Sequence, residues 1–288
     1  MKVLVIGANG QLGKDVSKEL KSRNIETITS DITGEIDYVL DFTNEEKTNE
    51  LIKSIKPDAI INCAAWTAVD AAEDEENKTK VYALNVTGIC NLVKASKEVG
   101  CKLMHISTDY VFDGQGETPW EPDDKNYKPL CYYGETKLLS ELEVSKLEKY
   151  FIVRIAWLFG GPISFVNTML KVGKTHDELK VVNDQIGTPT YSKDLARLLV
   201  DMIQTDKYGY YHATNEGGYI SWYEFALEIF KQANMSTRVI PVSTAEYGIS
   251  KAVRPFNSRL DKSKLSDNGF KRLPEWKDAL ARYLNSIK

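Results

Sequence analysis

The stretch KVLVIGANGQLG, Lys2 to Gly13, constrains the fold more than any other part of the chain. A short apolar strand runs straight into Gly7, Gly10 and Gly13, and a helical pattern follows at once. Glycine lets the chain turn tightly and lets backbone approach a ligand, while the helix N-terminus directs amide donors and partial positive charge at it. Strand, glycine turn and helix in that order form a pyrophosphate cradle of the dinucleotide-binding kind. Asp31 ends the next strand-like run, IETITSD, eighteen positions after Gly13. That is close to the ~20 residues at which an acidic side chain meets the adenosine ribose. A carboxylate there also repels a 2′-phosphate, and no arginine follows it, so NADH is expected ahead of NADPH. Asp41 and Phe42, in LDFTN, stand at the next strand end, where a carboxylate and an aromatic face suit an adenine ring.

The rest of the chain continues the alternation. Helical patterns over Lys14 to Arg23 and Glu45 to Ile55 separate the strands, followed by DAIINCAA, a long helix through KVYALNVTGICNLVKASKEVG, and KLMHIST. A further helix opens near Thr136, and YFIVRIAWLFG reads as one continuous apolar strand buried on both faces. This rhythm predicts an α/β protein with a Rossmann-type doubly wound parallel sheet. Beyond Gly160 the elements shorten. Residues 1–160 are expected to form the NAD(P)-binding domain and 161–288 mostly a smaller, interleaved α/β substrate lobe. A segment near 181–205 returns to the main sheet, and a cleft lies between the lobes.

Composition excludes several classes. The 37 basic and 41 acidic residues give a net charge of -4 without a basic block, so nucleic acid is not an expected partner. The apolar run before Gly7 is too short for a signal-peptide core or a membrane span, which leads to the expectation of a cytoplasmic protein without a membrane partner. Cys63, Cys90, Cys101 and Cys131 form no CxxC pair, and His105, His176 and His212 stand at no metal-ligand spacing, so no metal site is expected.

CYYGETK places two tyrosines ahead of one lysine. On a helix, residues four apart share a face, so Lys137 meets Tyr133 and not Tyr132. An ammonium beside a phenol favours phenolate, lowering a pKa that starts near ~10. That prepares a tyrosine for proton transfer at neutral pH.

Together, GANGQLG, LDFTN, INCAAWTAVDAAE, HISTDYVFDG, PLCYYGETK, RIAWLFG, QIGTPTY and RPFNSRL resemble the extended short-chain dehydrogenase/reductases, and within them the dTDP-4-dehydrorhamnose reductase family. The resemblance implies a catalytic set of Thr108, Tyr133 and Lys137. It implies Gly10, Gln11 and Leu12 on the pyrophosphate, Asp31 on the ribose, Asp41 and Phe42 near the adenine, and Ala65, Trp66 and Thr67 along the cofactor. Trp66 departs from the smaller or differently shaped aromatic often found at its position. For the sugar nucleotide the implied residues are Val69, Tyr110, Trp157 and Arg254.

The implied reaction is NAD(P)H-dependent reduction of the C4 ketone of a dTDP-linked deoxyhexose. NAD(H) is the preferred carrier and NADP(H) the second one accepted. A homodimer fits the family, but no carboxylates match the metal that some members bind at a dimer contact. Three rival readings differ by chemistry. A dehydratase would need an acid after Thr108-Asp109, where Tyr110 stands. An epimerase would recycle its cofactor, and a non-catalytic redox sensor would have little use for the threonine, tyrosine and lysine together.

Overall fold

A computed structural model describes all 288 residues. Six strands, β1 (Lys2–Ile6), β2 (Glu26–Asp31), β3 (Tyr38–Val39), β4 (Ala59–Asn62), β5 (Lys102–Thr108) and β6 (Tyr150–Ile155), join Gly209–His212 in one seven-stranded sheet. The spatial order is Gly209–His212, β6, β5, β4, β1, β2, β3, and every pairing is parallel. Parallel strands bury both faces, which is why β1, β4 and β6 are almost wholly apolar. On one face, Val3, Val5 and Ile61 pack with α1 (Gln11–Ser22) and α7 (Ser192–Ile203). On the other, Leu4, Ile6 and Ile60 pack with α2 (Glu45–Ile55) and α4 (Gly88–Val99). Strand order reverses between β1 and β4, so a crevice opens at their carboxyl ends, the ligand position of doubly wound sheets.

The expected helices are present with adjusted ends. α1 begins at Gln11, earlier than the pattern indicated, because Gly10 caps it without a side chain to mark the start. The long helix is α3 (Glu75–Tyr82) and α4 joined by a π turn at Ala83–Thr87. α5 starts at Tyr132 and runs to Val144.

The run YFIVRIAWLFG is not one strand. β6 ends at Ile155, Trp157 adopts a left-handed backbone with φ 51°, and Leu158–Phe159 pairs instead with Thr190–Tyr191. The chain leaves the main sheet there to enter the second lobe. That lobe pairs Glu178–Val182 with Arg238–Val242 and packs α6 (Phe165–Gly173), α8 (Trp222–Gln232) and Trp276–Ser286 around Phe159, Phe225 and Trp276. The returning segment therefore differs from 181–205. Residues through Tyr191 stay with the lobe, while α7 covers α1 and Gly209–His212 extends the sheet beside β6.

Candidate active site

The crevice is built from loops that follow β1, β2, β4 and β5. Gly7 has φ 75°, and a Cβ there would come within 2.7 Å of the Ala64 backbone nitrogen, so the β1 and β4 loops meet only because this residue is glycine. At Gly13 a Cβ would stand 2.0 Å from the Gly7 carbonyl oxygen, so the helix can press against the turn. Gly10 is the N-cap of α1, and the first amides of the helix, from Gln11 to Gly13, have no intrahelical acceptors. The Gln11 side chain lies against Gly161, and its buried Nε2 has no partner. Leu12 is buried core at the root of the turn. Asp31 is held at both oxygens, with Oδ2 accepting from the Asn9 amide at 2.8 Å and Oδ1 from the Ile32 amide at 2.7 Å. This cradle of close glycines, open amides and an oriented carboxylate fits a dinucleotide.

Asp41 is exposed and caps its own turn, accepting from the amide and hydroxyl of Thr43. Phe42 corrects the sequence reading. Its ring is 3% exposed and packs in the core against Gly88, so it offers no open aromatic face. The side chain points inward because the residues flanking it reach solvent and core alternately. After β4, Ala65 is half-buried and Thr67 exposed, while the Trp66 amide donates to Asn85 Oδ1 at 2.8 Å. Asn85 also donates to Thr136 Oγ1 at 3.0 Å, tying this loop to α5 from within the π turn. Sequence reasoning passed over Asn85; its signal was an asparagine in the middle of a helical pattern, where a polar side chain must find a partner when buried.

β5 delivers Thr108 to the crevice and α5 faces it with Tyr133 and Lys137. All three are buried or nearly so. Thr108 Oγ1 donates to Asp109 Oδ1 at 2.9 Å and contacts the Tyr133 hydroxyl. Tyr132 points elsewhere: its amide donates to Glu73 and its hydroxyl to the Lys78 carbonyl on α3. The helix spacing thus separates the two tyrosines as expected.

The electrostatics differ from that expectation. Lys137 Nζ donates to the Ile106 carbonyl at 2.7 Å and lies 3.1 Å from His105 Nε2, reaching β5 and not the phenol. Burial, reinforced by the Asp109 carboxylate, raises the Tyr133 pKa. Burial also pushes Lys137 down to about 8, against the pull of Glu141. Desolvation penalises whichever form is charged, and here it outweighs the attraction assumed from spacing alone.

The residues expected for the sugar nucleotide line the other wall. Val69 and Tyr110 pack near Tyr133, with Tyr110 edge-on to it at 5.5 Å. Arg254 donates to Tyr110 at 3.2 Å and to Asp70 at 2.6 Å. Trp157 stacks on Trp222 with centroids 3.8 Å apart. Beyond them is a cavity of about 330 Å³ bounded by Asp70, Phe165, Lys180, Gln185, Trp222 and Arg254. Asp70, Phe165 and Trp222 were not singled out in the sequence; Asp70 and Trp222 carry only weak marks, one inside TAVDAAE and one just after a capping serine. A larger open cleft of about 1100 Å³ lies at the opposite end of the sheet among Lys53, Asp58, Glu98, Lys102, Lys149 and Asp206. It lies at the amino ends of the strands, away from the ligand crevice of this fold.

A glycine cradle, an oriented carboxylate at the end of β2 and a threonine, tyrosine and lysine converging at the end of β5 define a nicotinamide-dependent oxidoreductase of the extended short-chain dehydrogenase/reductase class. The sequence matches the RmlD substrate binding domain family over residues 1–288. The chain belongs to the dTDP-4-dehydrorhamnose reductase family. It is 38% identical to the spore coat polysaccharide biosynthesis protein SpsK of Bacillus subtilis, over 98% of this chain and 96% of that protein. A dTDP-4-dehydrorhamnose reductase structure from Clostridium acetobutylicum superposes with TM-score 0.93 at 43% identity, covering 100% of this chain and 99% of that one. The Bacillus anthracis dTDP-4-dehydrorhamnose reductase in complex with NADP gives 0.92 at 41%, covering 99% and 100%. No helix of this chain is long and apolar enough to cross a membrane.

Proposed function

We propose that this protein reduces the C4 ketone of a dTDP-4-dehydro-6-deoxyhexose, converting dTDP-4-dehydrorhamnose to dTDP-L-rhamnose for cell-surface polysaccharide precursors, with NADH preferred and NADPH accepted. The observation that carries the reading is the convergence of Thr108, Tyr133 and Lys137 beside the glycine cradle, in a chain related along its whole length to reductases of that name. When bound, the nicotinamide supplies the hydride. Tyr133, kept protonated by burial, donates a proton to the carbonyl oxygen as charge grows there, and Thr108 hydrogen-bonds the same oxygen. Lys137 orients the nicotinamide ribose and, as the ammonium, stabilises the phenolate left behind. Asp31 takes the adenosine ribose. Gly10, Gln11 and Leu12 take the pyrophosphate through the start of α1.

For the substrate, Val69, Tyr110 and Trp157 shape the sugar site and Arg254 takes the diphosphate. The absence of an acid after Asp109 sets the dehydratase reading aside, and the relatives' reductase names favour reduction over epimerisation or sensing. We place the enzyme in the cytoplasm and expect a homodimer. The test incubates purified protein with dTDP-4-dehydrorhamnose and NADH, following the near-ultraviolet absorbance of the reduced carrier and identifying the product by NMR. One NADH consumed per dTDP-L-rhamnose formed supports reduction. Sugar interconversion without net NADH loss would establish an epimerase instead.

A further inference from the structure

His105 lies on β5, fully buried, three residues before Thr108 and facing α5. Its Nδ1 is 3.1 Å from Asn62 Nδ2. The Asn62 amide is oriented by Ala64, whose N–H donates to Oδ1 and whose carbonyl accepts from Nδ2, both at 3.2 Å. His105 Nδ1 therefore faces a donor and accepts from it, which puts the ring proton of the neutral imidazole on Nε2. Two α5 groups meet that proton: Ser140 Oγ at 3.0 Å and Lys137 Nζ at 3.1 Å. The Ser140 hydroxyl donates its own hydrogen to the Lys137 carbonyl at 2.6 Å, leaving its oxygen to accept.

An ammonium has three N–H groups and no lone pair. With Lys137 charged, the His105 and Lys137 protons would point at one another. With Lys137 neutral, its nitrogen accepts from Nε2–H while still donating to the Ile106 carbonyl at 2.7 Å.

We propose that His105 is a positioning residue for Lys137: its Nε2–H, fixed by Asn62, holds the neutral amine against β5 and turns the ammonium out toward the cleft. The inference rests on the role given to Lys137 above. The charged and titratable groups around the lysine are few. Glu141 on α5 favours the ammonium but is held by Arg154 of β6 at 2.7 Å. Tyr133 shares the helix face, and Asp109, beyond the end of β5, has its carboxyl pushed up to about 6 by burial. From β4 and the π turn come only the uncharged Asn62 and Asn85. Burial and the nearby lysine hold His105 itself well below the usual histidine range, so it stays a fixed neutral donor.

Two variants move the lysine in opposite directions. His105→Gln offers an amide oxygen where the N–H was, giving the ammonium an acceptor. Ser140→Ala removes the alternative acceptor, leaving Nε2–H only the lysine nitrogen. The Lys137 midpoint is read by heteronuclear NMR of labelled lysine in the purified full chain, assigned by its loss in Lys137→Arg. It is expected to rise by about one pH unit in His105→Gln and to fall in Ser140→Ala. The alkaline limb of kcat/KM for NADH, which reports the free enzyme, should shift with it. Nitrogen shifts of the His105 ring should show Nε2 protonated. A proton on Nδ1, or a midpoint unmoved in both folded variants, overturns the proposal. If the protein proves not to reduce the nucleotide sugar, the function fails while the NMR midpoints still decide this point.

Discussion

Arg254 Nη2 donates to Asp70 Oδ2 at 2.6 Å, joining a residue of the C-terminal segment to the loop that follows β4. The Ala252 amide donates to the same aspartate at 3.1 Å, and Lys251 pairs with Asp74 at 2.7 Å, so the segment is strapped across the cleft at three points. Tyr110 and Ser250 steady the guanidinium further, at 3.2 Å and 3.1 Å. Its remaining N–H groups form a fixed fork of the kind that grips phosphate oxygens.

Arg254→Ala should raise the KM for the sugar nucleotide roughly 10-fold or more, from the ~1.5 to 3 kcal/mol of a hydrogen bond to a charged group. NADH affinity should stay put, and Arg254→Lys should recover little because an ammonium lacks the planar fork. Titrating both ligands against each variant checks this; a loss confined to NADH places the arginine in the wrong site.

Tyr133→Phe should bind NADH normally and turn over at least ~100-fold more slowly, the low end for loss of a general acid. Tyr132→Phe should remain active, since its hydroxyl reaches only the Lys78 carbonyl on the surface of α3. Equal rates for the two variants would falsify the assignment.

Asp31, proposed above to take the adenosine ribose, receives the Asn9 amide of the glycine turn. Asp31→Ala should therefore weaken both reduced cofactors while moving the ratio of their kcat/KM values toward NADPH. An unchanged ratio removes the carboxylate as the source of cofactor preference.

In Gly13→Ala the new methyl would be 2.0 Å from the Gly7 carbonyl oxygen, and that neighbour is backbone, which cannot rotate away. The turn must open, at a cost of about 1 to 3 kcal/mol by analogy with overpacked cores. The expected result is a lower Tm together with weaker NADH binding, measured on the same preparation. Full affinity in a folded variant would show that the close helix approach is not needed.

Arg154 and Glu141 are fully buried and joined at 2.7 Å and 2.9 Å, with the guanidinium also packed against Phe112, Tyr127 and Tyr210. Glu141→Ala strands a buried charge and should destabilise the fold by about 3 to 5 kcal/mol, whereas pairing it with Arg154→Met should recover most of the loss. Denaturant unfolding of the single and double variants makes the comparison.

What could be read from the sequence was what depends on local spacing. α2 was predicted from Glu45 to Ile55 and forms over those residues, because Asn44 caps it by accepting from the Lys47 amide and Lys56 ends it in a left-handed turn. The glycine turn and the separation of Tyr132 from Tyr133 follow from equally local geometry. The break at Trp157 was not legible, since nothing about tryptophan marks a left-handed backbone; Gly187 beside its ring and Trp222 beneath it hold it there. Phe42 was misread because a strand end looks the same whether its aromatic ring turns inward or outward. The contacts of Lys137 with His105 and of Arg254 with Asp70 join residues 32 and 184 positions apart, which spacing on one helix cannot reveal.

The late return of the chain to its main sheet sets an order on synthesis. Until Gly209–His212 has left the ribosome, β6 is an open edge, and until α7 has followed the lobe's first segment, the apolar face of α1 and β1 has no cover. A nascent chain of the first 160 residues already contains the cofactor cradle and the tyrosine and lysine, yet it exposes a long row of unpaired amides and carbonyls flanked by apolar side chains. Completion of the Rossmann sheet therefore waits only on the lobe's first segment and precedes the synthesis of Trp222–Gln232, Arg238–Val242 and Trp276–Ser286, and the vulnerable interval spans the translation of about fifty residues, several seconds at ordinary elongation rates.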